Sequence, residues 1–292
     1  MLSADLLARI RSIEIRTRRL TASILGGEYR SIFRGSGIEF AEAREYVDGD
    51  DVRLIDWNVT ARMGTPWVKQ FVEERDLTVI IAVDRSPSSL VGRPERGRLG
   101  AAAELTALLA LAATQAGDRA GMLSFSDGID TYIPARRGTR HAMRMVRDVI
   151  AATPAEVQRT DISAAAEYLT RVLGRRTVVF LISDFFDQGY EQALRGLAQR
   201  HEVVALPLVD PNDEALPDMG LVALADAESG ERLWVDTSDR RVRAAYAAAA
   251  EERAQYRRSA LASAGVEEIP VATEGDVVAP LAAYFRRRAR SR

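Results

Sequence analysis

A chain of 292 residues with no cysteine and a net charge of −2 excludes several classes at once. Without cysteine there are no disulfides, thiolate nucleophiles or sulfur-ligated metals, and the near-neutral charge gives no bulk bias toward nucleic acid or an acidic surface. With 47% hydrophobic and 28% charged residues the composition is that of an ordinary globular protein, long enough to bury a substantial core. Lys69 is the sole lysine among the 40 basic residues, which, with the alanine richness, reads as genome composition more than mechanism. No apolar run reaches the roughly 18 residues of a membrane span, the longest candidate, Ala101 to Ala116, being interrupted by Glu104 and Gln115. The N-terminus lacks a signal peptide's order of basic, apolar and small residues, so a cytoplasmic location is expected.

Ser3 reads as a helix N-cap, followed by an apolar stripe at Leu6, Leu7, Ile10, Ile13 and Ile15. From Gly26 to Arg75 runs a dense polar-aromatic block broken by glycines at 26, 27, 35, 37, 49 and 64, which predicts loops and short strands. Its acids (Glu39, Glu42, Asp48, Asp50, Asp51, Asp56) alternate with Arg34, Arg44, Arg53 and Arg62. Two readings stand: an ion-pair network pinning the block to the main domain with Trp57 or Trp67 buried, or a binding surface rich in Trp, Tyr and Arg. Residues 1–75 are taken as this N-terminal extension and 76–292 as the main domain.

Thr78 to Val83 is an unbroken apolar and β-branched run, the pattern of a strand buried on both faces. Gly97 to Ala116 is predicted helical with Gly117 as its stop, and Arg119 to Phe125 a strand turning at Asp127-Gly128 into Ile129 to Pro134. Helices follow over Thr139 to Ala151 and, capped by Thr160 or Asp161, over Ile162 to Leu173. Arg176 to Ser183 is a second fully buried strand; helix Tyr190 to Arg200 and strand Glu202 to Val209 come next. Then come a hairpin (Gly220 to Ala225, Glu231 to Val235), a long helix Ser238 to Ala264, a strand Val266 to Val271 and a helix Val277 to Arg288. The basic tail, Arg286 to Arg292, reads as a solvated terminus. Strands alternating with helices predict an α/β fold, a doubly wound and mostly parallel sheet of five or six strands.

Both buried strands run into acids, Asp84 and Asp184. A strand ending in a carboxylate and followed by spaced hydroxyls sets oxygen ligands at the carboxyl edge of the sheet, where open α/β sheets put their sites. Asp84, Ser86, Ser88, Thr160 and Asp184 make an all-oxygen set suited to Mg²⁺ or Mn²⁺. A plain capping loop leading into a helix is the other reading of Asp84 to Ser89.

Asp84-x-Ser86-x-Ser88, Thr160 and Asp184, in this order on an alternating α/β chain, resemble the metal-ion-dependent adhesion site (MIDAS) of von Willebrand factor A domains. The resemblance implies that Asp84, Ser86, Ser88 and Thr160 ligate the metal directly or through water and that Asp184 is linked through water. The stretch FRGSGIEFAEAREYVDGDDVRLIDWNVTARMGTPWVKQF resembles the bacterial family called domain of unknown function 58, which carries an A-type domain and is often encoded beside MoxR-type AAA+ ATPases. The similarity covers about Gly26 to Val209. Phe185-Phe186 follow Asp184 where many A domains have Gly, so a differently shaped loop is expected. The short lead before the block reads as a soluble form without the membrane segments of longer relatives.

An enzyme needs machinery that the sequence does not supply. His141 and His201 lie outside any Ser-His-acid or zinc-protease pattern, and no Gly-rich phosphate-binding signature is present. The expectation is therefore a non-enzymatic, metal-dependent protein-binding adaptor. Its implied partners are a MoxR-type AAA+ ATPase and a protein presenting an acidic residue. A metal-dependent phosphoester hydrolase using Asp84 and Asp184, or a structural subunit with an empty site, are the alternatives.

Overall fold

The sequence Thr-Val-Ile-Ile-Ala-Val-Asp folds as strand β3, Thr78–Asp84, and from Val79 onward every residue of it is buried. β-branched side chains on both faces suit a strand covered by helices on both sides. The computed structural model describes residues 13, 17, 37–74, 77–90, 97–151, 159–225 and 231–290. The expected N-terminal stripe lies outside the described residues except for Ile13, which is helical. The chain divides into two compact units, Phe33–Leu77 and the remainder.

In the smaller unit, β1 (Gly37–Glu45) pairs antiparallel with β2 (Trp67–Glu74), with a register shift between Phe40 and Glu42. Between them lie a single 3₁₀ turn, Val52–Leu54, and α1, Trp57–Met63. Asp56 caps α1 by accepting from the Asn58 and Val59 N–H groups, and Gly64 ends it at φ 79°, a conformation glycine adopts without strain. Arg44 grips Asp50 with two hydrogen bonds of 2.7 Å, and Lys69 lies 3.7 Å from Asp56. The expectation that Trp57 or Trp67 is buried needs correction. Trp57 is 69% exposed, because it opens a two-turn helix that buries no residue, and Trp67 is half-buried.

The larger unit continues with α2 (Arg98–Ala116), β4 (Arg119–Phe125), β5 (Ile129–Arg136), α3 (Thr139–Ile150), α4 (Ile162–Val172), β6 (Val178–Ser183), α5 (Glu191–Ala198) and β7 (Glu202–Val209). After these come the one-turn helix α6 (Pro211–Glu214), the hairpin β8 (Leu221–Ala225) and β9 (Arg232–Asp236), α7 (Arg240–Ala264), β10 (Glu267–Glu268), β11 (Val271–Ala272) and α8 (Val278–Arg290). The main sheet runs β10-β7-β6-β3-β4-β5, with β11 also on β7; all its pairs are parallel except β4–β5. The doubly wound, mostly parallel α/β architecture is thus the observed one. One helical layer, α4, α5 and the end of α7, packs on Ile80, Ala82, Leu123, Phe125, Val179 and Leu181. α2 has the length and composition of a membrane span, but most of it is buried inside the domain.

The last strand differs from the expected Val266 to Val271. It is split into β10 and β11 at Ile269-Pro270, with Ile269 and Thr273 N–H groups donating to the Ala205 and Val209 carbonyls of β7. Alternation along β7 turns Pro207 toward the same neighbour. Pro207 has no N–H to give to that neighbour, and the ladder breaks there.

Gly121 in β4 is a close-packing position. A Cβ there would sit 2.7 Å from the Ile133 carbonyl oxygen and 2.8 Å from Ala135 N, both backbone atoms of β5. Gly121→Ala is expected to destabilise by about 2 kcal/mol or more. Gly196, inside α5 with open space at its Cβ position, should give the opposite sign on mutation to Ala, a gain of about 0.5–1 kcal/mol. Urea denaturation of both variants checks the pair.

Candidate functional site

In this sheet β3 is followed outward by β4 on one side, while β6, later in the chain, flanks it on the other. The boundary between β3 and β6 is the topological switch point, and the crevice at its carboxyl end is where such folds bind ligands. Asp84 ends β3, and Asp184 follows directly after β6. The register Val83↔Ile182 sets Asp84 level with Ser183, whose Oγ donates to Asp84 Oδ2 at 2.6 Å. Past β3 the chain folds back, the Ser86 N–H donating to Asp84 Oδ1 at 2.9 Å. This is the local turn that Asp favours. A 3₁₀ turn, Pro87–Leu90, then brings the Ser86 and Ser88 hydroxyls to 2.9 Å from each other.

Asp184 Oδ1 accepts from the Phe186 N–H at 3.1 Å, whereas its buried Oδ2 has no hydrogen-bond partner among the described residues. Thr160 is buried just before α4. Its neighbour Asp161 donates its N–H to the Ser126 carbonyl at 2.7 Å and caps α4 through Ala164 N. Four of the five predicted residues, Asp84, Ser86, Ser88 and Asp184, thus lie around one point of the sheet edge. Thr160 is anchored to the end of β4 beside them.

Burial dominates the electrostatics. The Asp84 carboxyl is pushed up to about 7, first by desolvation and then by the neighbouring Asp184 charge; hydrogen bonds from Ser183 and Ser86 pull the other way. A buried carboxylate oxygen without a hydrogen bond, a second acid beside it and paired hydroxyls form an all-oxygen donor set. That set fits a hard divalent cation, with Asp84, Ser86, Ser88, Thr160 and Asp184 as the groups that would hold it.

The Phe185-Phe186 departure has a definite geometry. Phe185 takes φ 59°, the left-handed region that glycine occupies cheaply, and is the only such non-glycine among the described residues. What holds it there is packing. The Phe185 ring is buried edge-on to Tyr190 at 5.9 Å, and its N–H donates to Ser183 Oγ at 3.0 Å. The next residue, Phe186, is 39% exposed, with the guanidinium groups of Arg98 and Arg253 at 5.2 Å and 5.4 Å from its ring centre.

Sequence reasoning missed Ser183, Arg98 and Asp213. Arg98, at the first position of α2, is fully buried. It donates to the Ser88 carbonyl at 2.7 Å, lies 3.7 Å from Asp184 Oδ2 and pairs with Asp213. One signal could have found it: a cation opening an otherwise apolar helix opposes the helix dipole and needs a partner to hold it there.

Two outcomes test this geometry. Folded Asp84 keeps its proton up to about pH 7, while the unfolded chain releases it near the ordinary 3.8. Its contribution to stability is therefore fully present below pH 4 and is lost as pH rises through about 7, on the order of 2–4 kcal/mol. In chelator, Asp84→Asn should raise the urea midpoint at pH 8 and leave it unchanged or lower at pH 4. At Phe185 the usual ranking of glycine and alanine should invert. Phe185→Ala loses the buried ring and keeps the strained backbone, costing about 3 kcal/mol or more, whereas Phe185→Gly should cost about 1 kcal/mol less in the same urea assay.

A family model described as a protein of unknown function, DUF58, matches residues 42–256. An uncharacterised protein of Mycobacterium tuberculosis is 36% identical over 228 residues, 77% of this chain and 72% of that protein. Among solved structures, the conserved hypothetical protein BatB of Bacteroides thetaiotaomicron aligns over 73% of this chain and 99% of its own at 19% identity, with a TM-score of 0.46. The SpRpn10 VWA domain aligns over 70% and 93% at 11% identity, with a TM-score of 0.38. On the strength of the match across both units, the chain belongs to the DUF58 family.

Proposed function

We propose that this protein is a divalent-cation-dependent protein-binding module. Mg²⁺ or Mn²⁺ held by Asp84, Ser86, Ser88, Thr160 and Asp184 presents an open position to an acidic side chain of a partner. The observation that carries the reading is the buried Asp184 Oδ2, without a hydrogen-bond donor, at an edge already furnished with Asp84 and two serine hydroxyls. A bound ion would coordinate directly the oxygen that Arg98 reaches only at 3.7 Å and would offer a site for an external carboxylate. Asp84 anchors the set, Ser183 and the Ser86 N–H aim its oxygens, and burial keeps water from competing. The resemblance to von Willebrand factor A sites and to proteins encoded beside MoxR-type ATPases supports a cytoplasmic adaptor role toward such an AAA+ ATPase. His141 turns its ring to the Ala120 carbonyl at 3.1 Å, at the opposite end of β4 from the sheet's carboxyl edge.

The test is titration of purified protein with Mg²⁺ and Mn²⁺, followed by co-purification with the neighbouring ATPase in metal and in chelator. An ion bound only by the native state at about ten times its Kd adds about 1.4 kcal/mol, which raises the melting temperature by about 4 °C. Asp84→Ala should stay folded and lose both the heat of titration and the metal-dependent co-purification. Equal heats for wild type and Asp84→Ala would remove the site, and equal capture in metal and chelator would remove the ion from the contact.

A further inference from the structure

Arg98 does not belong to the ligand set, yet it is the most deeply placed cation at this edge, with 2% of its surface exposed. It sits where the dipole of α2 opposes a positive charge, so its position depends on its partners. Those partners are the site itself and the turn beyond β7. One terminal nitrogen donates to the Ser88 carbonyl at 2.7 Å and lies 3.7 Å from Asp184 Oδ2; the other pairs with Asp213 of α6. Asp213 in turn belongs to a capping box with Asp210, and Asp210 accepts from Thr273 Oγ1 at 2.9 Å, so this outer anchor is itself braced.

The contact with Asp184 is matched in charge and not in hydrogen bonding. At 3.7 Å it is an ion pair without a hydrogen bond, and both Arg98 Nε and Asp184 Oδ2 are buried without hydrogen-bond partners. Charge-assisted pairs gain most of their strength when the N–H groups engage the carboxylate directly. This guanidinium therefore neutralises Asp184 while leaving its oxygen open to a stronger cation. A guanidinium and a divalent ion drawn to the same oxygen in a water-poor pocket repel each other.

We infer that Arg98 is the built-in counter-ion of this site, and that it lowers the site's affinity for a divalent cation by competing for Asp184. The inference rests on the cation site proposed above and adds its regulation. Ion and Arg98–Asp184 pair are mutually antagonistic, and by reciprocity whatever draws Arg98 toward Asp213 favours ion binding. The alternative is that Arg98 is only a brace between the start of α2 and α6.

Calorimetric titration with Mn²⁺ separates the two. Arg98→Gln keeps a donor for the Ser88 carbonyl and removes the charge; it is expected to bind Mn²⁺ at least tenfold more tightly than wild type. The double variant Arg98→Met with Asp213→Asn removes both members of the outer ion pair, so Asp213 is not left uncompensated and the net charge is unchanged, while Asp184 loses its counter-ion. It should bind at least threefold more tightly, and it carries the test if Arg98→Gln does not fold by circular dichroism. Adding Asp84→Ala to either variant should abolish the heat, placing the ion in the site. If wild type binds Mn²⁺ and the folded variants bind it equally or more weakly, Arg98 is a brace and the competition is overturned while the cation site stands. If neither wild type nor variants bind Mn²⁺, both the competition and the cation site fall.

Discussion

Two carboxylates buried on adjacent parallel strands set the terms for this edge of the protein. Bringing one carboxylate out of water is costly, and placing a second beside it adds repulsion. The surrounding structure is arranged around that cost. Ser183 reaches Asp84 because the β3–β6 register sets them level, the backbone turns after both strands aim N–H groups at carboxylate oxygens, and Arg98 brings a guanidinium inward. Asp84 still sits well above its ordinary value, so these groups compensate only in part. Under the proposed reading, the remaining imbalance is what makes the site attractive to a cation.

The same constraint joins distant parts of the chain. Ser88 offers its hydroxyl to Ser86 and its carbonyl to Arg98; Arg98 reaches Asp184 and Asp213, 115 positions away from it in sequence. Phe186 extends the chain of contacts to Arg253 on α7, whose guanidinium also lies 5.9 Å from the Tyr246 ring. Asp187 closes a second circuit by accepting from Ile162 N at 2.8 Å, which ties the loop after β6 to the start of α4 and so to the segment bearing Thr160. The placement of these segments and the charges at the edge are thereby parts of one electrostatic balance.

The strain at Phe185 belongs to that balance. A left-handed residue directs the chain so that the Phe185 and Phe186 N–H groups both point back, one to Ser183 Oγ and one to Asp184 Oδ1. Glycine would adopt the same backbone at less cost, but it would supply no ring to pack against Tyr190. The loop trades backbone ease for a buried aromatic anchor, and the exposed Phe186 beside it gives the mouth of the site an aromatic surface flanked by arginines.

Local sequence determined the elements that carry strong patterns. The buried runs at 79–83 and 178–182, the Asp127-Gly128 turn, the glycine stop after α2 and, to within the choice between Thr160 and Asp161, the cap of α4 were all legible, because period, turn chemistry and capping act within a few residues. The placement of Asp84 and Asp184 at the sheet edge was legible as well, since a strand that ends in an acid places that acid at a sheet edge whatever the neighbours are. The split of the last strand was not, because it depends on β7 presenting Pro207, which has no N–H, to that strand. Nor was the exposure of Trp57, which depends on how little a short helix can cover. Arg98, Ser183 and Asp213 became part of the site only when parallel register and helix placement brought together residues that no spacing rule connects. The physical reason is general: an acid's position at a sheet edge is a property of a single strand end, whereas charge compensation at a buried site is decided by whichever side chains the tertiary fold delivers there.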